Sequence, residues 1–351
     1  MKKSITSIMV ATAMAFSLTA CGGGASDAPS GEKSNTAVGE SGDVKAQGKY
    51  TLNIGSAMSA TNPSSIALQS FKEAVEERTN GELVVNIYTD SALGGEADLL
   101  EQVTSGTVEG MMQMGAANWE PYNSEVNVAL LSFLFTSLDS AREAWAGEFG
   151  QEFCEKLLEP TGVTILSVWE AGYRHMTNNI RPINEPGDLA GIKFRTNENS
   201  MKVKMYEAVN GSAVIMAFSD VYTGLQNKTI DGQENPLANI YTSSLQDVQK
   251  YLSLTGHMYD AAPLAVNTAW FQSLPEEYQT ILKEEAENAR AIDLQENDES
   301  IYLNLLKEAG MEVNDVDKEA FQEAMQSVWE EFASQYDDGQ YWIDLATSFN
   351  K

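Results

Sequence analysis

Arg195 closes a short apolar run, Ile192 to Phe194, within a stretch from Leu189 to Tyr241 that holds most of the groups able to grip a small ligand. A guanidinium at a strand end presents a planar, permanently charged fork of donors, which matches a carboxylate or phosphate with two parallel bonds where a lysine offers one point charge. Asn235, in the turn-rich segment IDGQENPL, carries a donor and an acceptor on one amide, and Pro236 biases it toward extended backbone. Arg174 follows the apolar run Val163 to Trp169, and a salt bridge is the alternative role for either arginine. Phe218 and Tyr222 lie one helical turn apart and can face a cleft or a core. These residue types point to capture of an anion.

Residue types for turnover are scarce. His175 and His257 are the only histidines and neither has the His-Glu-x-x-His spacing of a metal site. No Gly-x-Ser-x-Gly elbow occurs, and the one Gly-Lys pair, Gly48-Lys49, runs into Tyr50 and makes no phosphate loop. Asp315, Asp317 and Asp337 lack the glycine and spacing of a calcium loop. Neither a metal nor a cofactor is indicated. With 22 Lys and Arg against 51 Asp and Glu, a formal charge of -29, the chain lacks the basic face that a nucleic-acid phosphate backbone requires. That excess favours a soluble monomer.

The elements that must position these groups alternate between strand and helix. Tyr50, Leu52 and Ile54 alternate as a half-buried strand does, and so do Leu83, Val85 and Ile87. Between them Asn62-Pro63 caps and opens a helix that buries Leu68, Phe71 and Val75 and stops at Gly81, a β-α-β unit. A helix from Glu96 to Ser105 follows, then a buried strand within Val108 to Met114. Val126 to Phe135 is apolar but about half the length of a membrane span, so it reads as core strand or buried turn. Asp139 can cap a helix that buries Ala141, Trp145, Phe153 and Leu157 before Pro160. Val163 to Trp169 reads as a strand whose end, at Glu170 to His175, begins a crossing between lobes. The chain returns near Met258 to Val266. From Pro275 no Gly or Pro interrupts the chain until Gly310, which predicts one long helix of about 50 Å or two broken near Asn297-Asp298. A last helix is capped by Asp317. The length of 351 residues allows about two domains.

The motifs GIKFRTNENS, AFSDVYTGLQ and DGQENPL, with LGGEADLLEQVTSGTVEGM and YRHMTNN, occur in an order and spacing that resemble the substrate-binding subunits of tripartite ATP-independent periplasmic (TRAP) transporters, DctP branch, from about Tyr50 to the C-terminus. The resemblance implies an α/β, two-lobed periplasmic-binding-protein-like fold, a mixed sheet in each lobe, and a long helix bracing both. Lobe I would comprise residues 49–172 and about 261–300, lobe II 173–260 and about 301–351. It implies an organic acid held between lobes, with Arg195 on its carboxylate, Arg174 in support, Phe218 packed against it, and delivery to the TRAP membrane subunits. Glu96 and Glu170 in such a cleft would repel a second carboxylate and accept bonds from hydroxyls, although Glu170 is as readily a surface residue. Trp169, Tyr173 and Trp119 offer flat surfaces for a sugar ring. A sugar acid such as a uronate is the expected ligand.

Residues 1–20 have the Lys2-Lys3 start and apolar run of an export signal, and Leu18-Thr19-Ala20-Cys21 resembles a lipoprotein processing site that would acylate Cys21. Residues 21–48, rich in Gly, Ser and Ala, would then be a leash to the outer face of the cytoplasmic membrane. Cys154, left without a partner, reads as a small core residue. An anchored adhesin or an extracellular enzyme are the competing classes.

Overall fold

The computed structural model describes residues 48–351; the export segment, Cys21 and nearly all of the leash lie outside them. β1 (Tyr50–Ser56), α1 (Pro63–Arg78) and β2 (Leu83–Tyr88) form the expected β-α-β unit, with β1 and β2 parallel. Asn62 caps α1 by accepting the Ser64 N–H at 3.1 Å, and Pro63 takes the first turn, where its missing N–H costs nothing. α2 (Glu96–Ser105) buries Leu99, Leu100 and Val103 and ends at Gly106 in left-handed backbone. β3 (Gly110–Met112) follows. Val126 to Phe135 is a 3-10 turn and a buried bend, the second of the two expected forms.

α3 (Leu138–Ala146) is capped by Ser137, and Asp139 sits inside its first turn, which corrects the expected cap: the Ser137 hydroxyl accepts from Ser140 N at 3.1 Å. Gly147 splits off α4 (Glu148–Phe153), but Ala141, Trp145, Phe153 and Leu157 are all buried as expected. Cys154 is half-buried and has no disulfide partner among the described residues, and burial pushes its thiol up to about 12.

β4 (Val163–Asn178) does not stop at Trp169. It continues past Glu170 because Ala171 is accommodated as a bulge and Gly172 takes a positive φ of 100° without a side-chain clash. β5 (Lys193–Thr196), α5 (Ser200–Ala208), β6 (Ser212–Ile215), α6 (Val221–Gln226), β7 (Gly232–Pro236) and α7 (Leu237–Thr242) follow. The return strand β8 (Tyr251–Asn267) pairs antiparallel with β4 along its length. α8 (Thr268–Ser273), α9 (Glu276–Glu296), α10 (Glu299–Glu308), β9 (Glu312–Asn314), α11 (Lys318–Gln335) and α12 (Gly339–Thr347) complete the chain.

The nine strands form one mixed sheet in the order β2-β1-β3-β8-β4-β7-β5-β6, with β9 on β8. β4 and β8 serve both halves. β3 pairs with Leu264 to Val266 at one end of β8, while β7 pairs with Arg174 to Asn178 at the far end of β4, so irregularities in the two long strands lie between the halves.

The long helix is two helices. α9 spans 21 residues, about 32 Å. Asn297 sends its amide to the Glu170 carbonyl (2.9 Å), and the Asp298 carboxylate accepts the Ser300 N–H (2.8 Å), so side-chain competition for backbone groups ends one helix and caps the next despite unbroken apolar periodicity. Asp293, fully buried near this break, accepts from Ser64 Oγ (3.0 Å) and from the Glu170 N–H (2.9 Å). Burial pushes its carboxyl up to about 7, well above its ordinary 3.8. The native state therefore holds a proton that the unfolded chain releases, and stability falls as pH rises from about 4 to about 7. Asp293→Asn keeps both contacts, since the Ser64 hydroxyl can accept as well as donate. Melting curves from pH 4 to 8 should show the variant gaining on the parent as pH rises; parallel profiles would refute the assignment.

Candidate ligand-binding site

β5 places Arg195 beside Val214 of β6, and the backbone after β6 turns back over it. Nε donates to the Met216 carbonyl at 2.8 Å, and the guanidinium carbon lies 5.7 Å from the centre of the Phe218 ring. Only 5% of Arg195 is exposed, so it does not point into bulk water. Among the described residues no carboxylate lies within 4 Å, and the two terminal nitrogens, with four N–H donors, have no hydrogen-bond partner. Burial first, then repulsion from Arg174, lowers its pKa to about 10; it remains cationic at neutral pH. Glu96, at the start of α2, is the carboxylate across from it. Its oxygens accept from Met114 N (2.9 Å) and Asn118 Nδ2 (3.1 Å). Burial raises its pKa, a shift moderated by the Met114 N–H and by the charge of Arg195.

Behind Arg195 lies a buried ionic network. Arg174 sits inside β4, not at a strand end as the sequence implied, and its fork is fully engaged: two contacts to the Glu234 carboxylate, one to Asp260, one to the Glu234 carbonyl and one to Asn235 Oδ1 at 3.1 Å. Lys202 Nζ approaches Glu234 at 3.3 Å, and His257 Nε2 lies 3.4 Å from the same carboxylate. Although burial alone would raise it, the Arg174 and Lys202 charges hold Glu234 well below the usual carboxylate range. Burial lowers Lys202. Burial also pushes His175 down to about 3, so it stands as a neutral acceptor for the Gly256 N–H. Arg174, Arg195 and Lys202 face Glu234 and Asp260, which leaves one positive charge over before Glu96 is counted. Glu96, when ionised, offsets it, and the free Arg195 donors are left to bind a small anion.

The structure thus brings together Arg195, Phe218, Arg174, Asn235 and Glu96. The Asn235 amide spans Arg174 and Gln233 Oε1 (2.5 Å), where it continues the network. Tyr222 and Phe218 are half-buried and line an open cleft of about 340 Å³ with Ala57, Ser59, Asp90 and Ser91. Others are placed elsewhere. Trp169, expected as a sugar platform, is buried between β4 and α9 with its indole N–H on the Ala286 carbonyl (3.0 Å). Trp119 is fully buried, and the Tyr173 hydroxyl is turned to the Phe135 carbonyl (3.0 Å). Glu170 is neither a pocket nor a surface residue: Arg142 holds both its oxygens at 2.7 Å and Tyr259 donates to it at 3.0 Å. Glu234, Asp260 and Lys202 were not foreseen. Asp260 was visible as the one charge within the apolar run Met258 to Val266.

An α/β frame with two long shared strands and, on β5 of the same sheet, a buried guanidinium with no carboxylate partner among the described residues defines a solute receptor. The family model for "Bacterial extracellular solute-binding protein, family 7" matches residues 54–335. The chain is 34% identical over 278 residues to the 2,3-diketo-L-gulonate-binding periplasmic protein YiaO of Escherichia coli, covering 78% of this chain and 84% of the relative. It is 30% identical over 272 residues to the C4-dicarboxylate-binding periplasmic protein DctP of Rhodobacter capsulatus, covering 75% and 80%. Among solved structures it is similar to a TRAP periplasmic solute binding protein from Sulfitobacter with bound β-D-galacturonate (TM-score 0.81, 30% identity, 85% of this chain and 99% of that one). The chain belongs to the TRAP transporter solute-binding family, DctP branch, and has its two-lobed fold. Among the described residues no helix is long and apolar enough to cross a membrane.

Proposed function

We propose that this protein captures a hydroxylated organic monoacid, a uronate being the best candidate, between its lobes and delivers it to TRAP membrane subunits. The observation that carries this reading is the buried Arg195 fork with no carboxylate partner of its own. An incoming carboxylate would complete it with charge-assisted bonds to the free terminal nitrogens. Glu96 supports the choice of a monoacid, because when ionised it repels a second ligand carboxylate and in either state its oxygens accept from hydroxyls. A relative named for a diketo sugar acid and solved structures holding galacturonate and glucuronate agree with it. A dicarboxylate is the competing ligand within the same site, as the DctP relative and a succinate-bound structure suggest.

On this reading the lobes divide near the β4 bulge, at 49–172 with about 261–300 and 173–260 with about 301–351, and close over the acid as a monomer. Cys21 carries a lipid that tethers the receptor outside the cytoplasmic membrane, a role supported by the Leu-Thr-Ala-Cys segment alone. A thermal-shift panel tests the ligand. A ligand at 100 times its dissociation constant adds about 2.7 kcal/mol to the native state. Glucuronate or galacturonate should raise the melting temperature while succinate and amino acids do not; stabilisation by succinate alone would reverse the assignment.

A further inference from the structure

Phe218 borders both the Arg195 guanidinium and the open cleft of about 340 Å³. Its walls come from two places in the sequence. Ser59, Asp90 and Ser91 follow strands β1 and β2, while Ser219, Ser243 and Ser244 follow β6 and α7. Asp90, Ser91 and Ser244 each hold φ near +57°, a left-handed backbone costly for serine, so the surrounding structure fixes these groups against local preference. The side chains of Ser91, Ser219, Tyr222, Ser243 and Ser244 make no hydrogen bond to the protein among the described residues. The lining contains no Lys, Arg or His, and its one charge is the Asp90 carboxylate.

We propose that this hydroxyl-lined, cation-free cleft is a subsite for a neutral sugar unit joined to the acid at the end remote from its carboxylate, so that the preferred ligand is a uronate linked through its anomeric carbon to a neutral sugar. Rows of free hydroxyls exchange bonds with a polyol's hydroxyls. Phe218 supplies the apolar face on which a sugar ring can lie, and Asp90 disfavours a second anion there. The proposal rests on Arg195 as the carboxylate anchor, which fixes the orientation of the chain past Phe218.

Calorimetry with two probes tests it: glucuronate, and the disaccharide acid in which the anomeric carbon of glucuronate is linked to a neutral hexose. The disaccharide should bind at least about 10-fold tighter, the yield of one or two added hydrogen bonds. In Ser219→Val/Ser243→Val the two should come within about twofold of each other, with glucuronate affinity unchanged. The inference is overturned if the disaccharide binds no tighter than glucuronate, or if the double variant leaves its advantage intact. Failure of the parent protein to bind either acid, or any simple acid in the panel, would remove the anchor itself and the subsite with it.

Discussion

Arg195→Ala should lose acid binding by roughly 10²- to 10⁴-fold while the protein stays folded. Removing one side of a buried charge pair costs about 3 to 5 kcal/mol, because the partner, here a ligand carboxylate drawn out of water, is left uncompensated. The fold should not suffer, because in the unliganded protein this guanidinium is a liability. Burial and Arg174 both depress its pKa, and four of its donors are idle. Its removal should leave the melting temperature unchanged or raise it. Arg195→Lys keeps the charge but not the fork, and should recover only part of the affinity. Calorimetry alongside melting curves separates the effects: tight binding retained by Arg195→Ala, or unfolding of that variant, would each contradict the role given to it.

Arg174→Ala should do the reverse, and strike stability first. Its loss leaves Asp260 without an ion-pair partner and Glu234 with Lys202 at 3.3 Å as its remaining lysine or arginine partner, and it frees the Asn235 carbonyl. Breaking such a network costs about 3 to 5 kcal/mol, which for a chain of this size is a fall in melting temperature of roughly 10 °C. Ligand affinity should fall too, as Glu234 is no longer held and Arg195 must serve it. If Arg174→Ala melts like the parent and merely binds more weakly, Arg174 contacts ligand directly and does not position the site. The two arginines thus divide the work, one stabilising the frame and one waiting for a guest.

Much of this was legible in the chain. α1 and α2, with Asn62-Pro63 and Gly106 as punctuation, were set by local rules and came out as read. Arg195, Phe218 and Asn235 could be placed because their motifs occur in order and spacing. Trp169 and Glu170 could not, for a physical reason. β4 carries register shifts near Leu166 and Ala171, and each bulge reverses which side of the sheet the following residues face, so period-two reasoning fails just where the lobes meet. Arg174 was misread as a strand-end group for the same cause. The α9–α10 break hid because Asn297 and Asp298 leave apolar periodicity untouched and act through backbone contacts that only the folded chain creates. Glu234 and Asp260 follow from pairing across β4, which no single stretch of sequence contains.

The free Arg195 donors lie within a chain whose formal charge is -29. An anion arriving from the medium therefore climbs a repulsive potential before it meets attraction, and dissolved ions flatten that climb over about 8 to 10 Å while the desolvated interior keeps most of its pull. Added salt should therefore hasten capture more than it loosens the hold.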